Sequence, residues 1–191
     1  MAELKNPHLQ ALSLHLEKHI DEARRMFSMF NPAQLNWKPD QKSWSIAQCF
    51  DHIIVSDQQY FNSIKKTIEQ TVAGQLTEKK PYRPGWTGRI FIYAQKPDTV
   101  LKFKTPPIFK PSERTEGKKM LEDFIRHEQE LLVLIKKCDG WDLNKAKITS
   151  PVNSFFKFSL GECFSILVTH QERHLLQAQR LGQHPGFPPN S

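Results

Sequence analysis

The sequence predicts an all-α protein, a four-helix bundle with a long crossover connection between its second and third helices. Three observations carry that expectation. Four stretches place apolar residues at spacings of three and four, the mark of one buried helical stripe. Capping and stop signals bound those stretches. No segment alternates apolar and polar residues long enough to read as a convincing sheet.

The first helix is expected over Pro7 to Phe30, with Leu9, Leu12, Leu16, Ile20, Ala23, Phe27 and Phe30 as its stripe. Asn31-Pro32 ends it, because a proline disfavours the helical conformation of the residue before it. Residues 31–43 read as a loop. Ser45, with Gln48 three later, forms a capping box that opens the second helix. Its stripe runs through Ile46, Cys49, Phe50, Ile53, Tyr60, Phe61, Ile64 and Ile68, and Gly74 is the expected stop.

Residues 75–111 are too rich in proline for a long helix and too aromatic for a free linker; Phe91 to Tyr93 suit a short helix or strand. The third helix is expected from Ser112 to Cys138, closed by Asp139-Gly140. Residues 140–158 read as irregular. A second capping box, Ser159 with Glu162, opens the fourth helix, which runs to Leu181 before Gly182 and Pro185. The whole of 1–191 is expected to form one domain.

Composition excludes several classes. Charged residues make up 25% and hydrophobic residues 38%, a globular balance. No apolar run approaches the ~20 residues of a membrane-spanning helix. The N-terminal residues lack a signal-peptide layout, and three cysteines without a CxxC argue against a disulfide framework or a thiolate zinc knuckle. A cytoplasmic location is the expectation. Dinucleotide and phosphate-loop glycine motifs are absent.

The net charge is +7. Eleven basic and three acidic residues stand between Lys79 and Lys119, an excess of eight, so the rest of the chain is nearly neutral. Because the excess lies in one segment and not along a helix face, nucleic acid is disfavoured as a partner. A solvated loop whose aromatics pack on the core, or a cationic rim that steers a small anion, remain the two readings.

The histidines carry the chemistry. His170 and His174 stand four apart on the fourth helix, a spacing of ~6 Å and ~40° that lets two imidazoles reach one ion. They fill the gap in the stripe of Leu160, Cys163, Phe164, Leu167, Ala178 and Leu181, so they face the interior. A shared cation or hydrogen-bonded core packing would each satisfy them. His52 lies at the edge of the second helix's stripe and is a candidate third ligand. His15 and His19 are also four apart but read as solvated flank positions, and His127 and His184 carry no signal. Cys49 and Cys163 lie on inward stripes, as small core residues or as a further thiolate ligand.

Trp44-Ser45-Ile46 followed after five residues by His52 resembles the opening of the second helix in DinB-like (YfiT-like) proteins. Thr169 to Gln177, with His170 and His174, resembles their closing HxxxH helix, and Gly186-Phe187-Pro188 fits the ending. The resemblance implies a metal triad of His52, His170 and His174 binding a divalent ion, nickel or zinc. It implies a small-molecule enzyme: a thiol-dependent S-transferase working with a low-molecular-weight thiol, or a metal-dependent hydrolase, in a family where homodimers are common. The alternative is a non-catalytic metal-binding or interaction module that uses its basic loop to hold an acidic partner. Gln48 and Gln177 are candidates for orienting the ligands, and Trp86 and Tyr93 for the rim of a cavity. The nearest carboxylates in sequence, Asp51, Asp57 and Glu172, are weak candidates for a general base.

Overall fold

The computed structural model describes residues 4–71, 76–78, 80–99, 104–112 and 117–189. Four long helices form the body: α1 (Pro7–Phe27), α3 (Ile46–Gln70), α5 (Gly117–Lys137) and α6 (Leu160–Gly182), with shorter α2 (Pro32–Asn36) and α4 (Trp86–Gln95) between them. α1 and α3 each pack on α5 and α6, closing the bundle. Among the described residues the protein is all-α apart from an isolated Thr77–Trp141 bridge and one small antiparallel pair, β1 (Lys147–Thr149) and β2 (Lys157–Ser159), in register Ile148 opposite Phe158.

The capping boxes form as the spacing requires. Ser45 accepts from Gln48 N–H while Gln48 accepts from Ser45 N–H, and Ser159 and Glu162 exchange the same pair of bonds. Asn6 caps α1 by accepting from His8 and Leu9 N–H. Gly140, at φ +78°, takes the left-handed conformation just past α5.

Two stretches expected to be irregular carry structure, and the short element expected at Phe91 to Tyr93 forms as a helix. Asn31-Pro32 does more than stop α1: Asn31 caps and Pro32 opens α2, the favoured proline position, so one dipeptide ends one helix and begins the next. α4 forms inside the long connection, and the β pair forms inside residues 140–158 because Ile148 and Phe158 bury side by side against the bundle. α5 is described only from Gly117, and Ser112 is not helical; its N–H and hydroxyl both donate to Asp51. The expected stop at Gly74 lies outside the described residues.

The apolar core falls into two clusters. One takes Leu9 to Leu16, Tyr60 to Ile64, Leu131 to Cys138 and Leu160 to Val168 from the four long helices. The other takes Ala23 and Phe27, Ile46 to Ile53, Met120 to Phe124 and Leu175 to Leu181. On every long helix the break falls at polar residues: His19, Asp57, His127 and Glu128, and His170 to His174. A polar layer therefore crosses the middle of the bundle.

α4 lies against α6 through Gly88, where a β-carbon would stand 2.3 Å from Glu162 Oε1. Glu162 cannot swing away freely, since its oxygens accept from Gly85 N–H at 2.8 Å and Ser159 N–H at 2.7 Å. Gly88→Ala is expected to lower stability by ~1–3 kcal/mol through overpacking, read as a shift in urea midpoint at constant slope.

Candidate metal centre

α3 brings His52 and α6 brings His170 and His174 to one side of the polar layer. One ligand nitrogen from each ring lies within 4.8 Å of the other two. His52 Nε2 and His170 Nε2 are 3.1 Å apart. The rings meet edge to face, with centroids separated by 4.9 Å for His52–His170, 4.4 Å for His52–His174 and 4.5 Å for His170–His174. Nitrogens so close either share one proton or surround one ion.

The far nitrogens of two rings are fixed. His52 Nδ1 donates to the Phe109 carbonyl, with Ser56 Oγ 3.2 Å away, and His174 Nδ1 donates to Gln177 Oε1 at 3.0 Å. A proton held on Nδ1 leaves the Nε2 lone pair free for a metal. Trp44 covers the pair, its ring 4.5 Å from His52 and 5.7 Å from His174. Burial, the leading cause, pushes His52 down to about 4 and His174 down to about 3, and holds His170 well below the ordinary imidazole value; the neighbouring rings lower His170 and His174 further. All three are neutral at pH 7, the state that ligates.

Phe109 reaches His52 through the long connection. Its 3-10 turn (Pro107–Phe109) is followed by Ser112, which Asp51 holds. Asp51 thus positions the carbonyl that orients His52, a role invisible in the sequence because a backbone oxygen has no residue signature.

The triad lies in the wall of a cavity of about 610 Å³. Ile90, Phe91, Phe109, Phe158 and Leu167 give it an apolar lining, with Lys104 and Arg173 as its cations. Arg173 also donates to the Ala94 carbonyl at 3.1 Å, tying α4 to α6.

Several expectations change. Trp86 and Tyr93 are 75% and 55% exposed and do not line this cavity. α4 turns Phe91 and Ala94 toward the bundle, with the exposed Ile90 at the cavity's edge, which places Tyr93 ~200° round the helix from Phe91 and leaves Trp86 a turn earlier, in solvent. Gln48 spends its Oε1 on the Ser45 N–H at 3.2 Å, so it caps α3 and does not orient His52. His15 is exposed as expected, but His19 is only 2% exposed. Packing against both α5 and α6 buries a face wide enough to include His19 beside Ile20. His127 is buried too, bonded to Asp57. Cys49 and Cys163 are buried with thiols pushed up by desolvation, and neither sulfur joins the triad among the described residues.

The profile of the DinB superfamily matches residues 15–178, which contain all three histidines. The chain belongs to the DinB superfamily. No curated protein and no solved structure matches it. Among the described residues of this DinB superfamily member, no helix is long and apolar enough to cross a membrane.

Proposed function

We propose that this DinB superfamily protein is a divalent-metal-dependent enzyme acting on a small molecule, and that its reaction is thiol S-transfer. The observation that carries the proposal is the convergence of three neutral imidazoles, two of them oriented by hydrogen bonds, on the wall of an apolar cavity. Three nitrogens with no carboxylate suit nickel or zinc and leave coordination positions open. A bound ion would supply Lewis acidity that lowers the pKa of a coordinated thiol.

The protein's own groups do the rest. Phe109 O and Gln177 Oε1 hold the His52 and His174 rings, so no reorganisation precedes ligation. The aromatic wall excludes water and holds an apolar electrophile. Lys104 and Arg173 complement a carboxylate-bearing low-molecular-weight thiol. Thiol transfer is favoured over hydrolysis by what the cavity lacks. Its one carboxylate among the described lining residues, Asp57, already accepts from His127 and Gln171, so a free general base for water is missing.

The test measures metal content and thiol conjugation to an alkyl halide, before and after chelation. Turnover is expected to disappear with the metal and to return with nickel or zinc. Unchanged turnover after metal removal defeats the reading, and a tightly held ion with no turnover points instead to an interaction module.

A further inference from the structure

Beside the triad, the polar layer holds a second gathering of side chains that the proposed chemistry does not use. His19 of α1, Asp57 of α3, His127 and Glu128 of α5 and Gln171 of α6 are all buried, the residues Asp57, Glu128 and Gln171 completely. Two bonds join them: His127 Nε2 stands 3.0 Å from Asp57 Oδ2, and Gln171 Nε2 donates to the same oxygen at 2.6 Å. Beyond those the cluster runs short of donors. Asp57 Oδ1, both Glu128 oxygens, Gln171 Oε1 and His19 Nδ1 have no hydrogen-bond partner among the described residues. His19 Nδ1 lies 3.6 Å from Glu128 Oε2, beyond hydrogen-bond reach.

Each unpaired buried acceptor costs about 1–3 kcal/mol. One proton placed among five such atoms joins at most two. Trapped water supplies donors but brings no positive charge to Asp57 and Glu128, which burial holds toward their protonated forms. A divalent ion meets both needs: it accepts the unpaired lone pairs and brings positive charge to two buried acids.

We propose that this cluster is a second metal site, in which Asp57, His127 and Glu128 hold a divalent first-row cation in the bundle core. Their ligand atoms lie within 4.8 Å of one another. Gln171 steadies Asp57 from α6, and His19 closes the side toward α1. Two carboxylates make the site harder than the triad, which shifts its preference toward manganese(II). Asp57 also belongs to the wall of the large cavity, which gives an ion its way in.

The full chain, stripped by chelation, is titrated with manganese(II) and followed by the paramagnetic signal of the free ion, with far-UV circular dichroism to check folding. Wild type and His170→Ala are each expected to retain one manganese at this site and to gain thermal stability from it; Glu128→Gln is expected to lose both. His170→Ala leaves Asp57, His127 and Glu128 intact, so failure of the triad reading and failure of this one are separable. Manganese-soaked wild-type crystals give the second measurement, with an anomalous peak expected about 2.2 Å from the Asp57 and Glu128 oxygens. Equal manganese retention in wild type and Glu128→Gln overturns the proposal, as does water density without an anomalous peak.

Discussion

Replacing His170 with alanine is expected to abolish metal retention at the triad and, with it, thiol-transfer activity. Each ring has both others beside it, and His170 Nε2 stands 3.1 Å from that of His52. Its removal leaves two nitrogens on different helices and a void where water enters. Losing a supporting partner of a metal ligand lowers affinity roughly 10–100-fold. Losing the ligand itself must exceed that. Gln177→Ala supplies the internal scale: it frees the His174 ring by removing the acceptor at 3.0 Å, and should fall in the 10–100-fold range. Zinc or nickel titration of the three proteins checks the order. An alanine at 170 that binds within tenfold of wild type would remove the triad from the account.

That triad was partly legible before any coordinates. His170 and His174 occupy a gap in one apolar stripe, and helical spacing alone puts both rings on the buried face. Partnership with His52, 118 positions earlier, needs the packing of α3 on α6, which no local pattern contains. The bundle was legible because each long helix carries a periodic stripe and the capping boxes fall at the starts of α3 and α6. The polar layer was not. His19, Asp57, His127, Glu128 and Gln171 each sit beside apolar residues on their own helix and look like flank positions singly. Only the meeting of four helices shows that their flanks coincide. The extent of α4 beyond Phe91 to Tyr93 and the Phe109 turn were hidden for a different reason: proline punctuation marks where regular structure stops, and gives no measure of the short elements between stops.

The neutrality of the buried histidines has a large consequence for the metal-free protein, which is expected to unfold cooperatively in mild acid. In the unfolded chain a histidine takes up its proton near pH 6.5. In the folded chain burial holds His19 and His52 to about 4 and His174 to about 3, with His170 well below its usual value. Between those limits the unfolded state binds more protons, so stability falls as pH falls below 6.5. Asp57 and Glu128 act in the opposite sense. Burial raises both, so the folded state keeps protons that free carboxylates release above about pH 4. Five histidines, His8 included, against two carboxylates leave a net uptake of protons on unfolding, so stability falls as pH falls through this window. Zinc should oppose this, because it binds the unprotonated triad of the folded state and stabilises it by mass action. The measurement is a circular-dichroism acid titration of chelated protein from pH 7.5 to 4, repeated with zinc. The chelated protein is expected to lose its helix signal near pH 5 and the zinc-loaded protein to hold it to lower pH. Coincident curves would mean that the three imidazoles do not share an ion, and a flat chelated curve that they are not buried in neutral form.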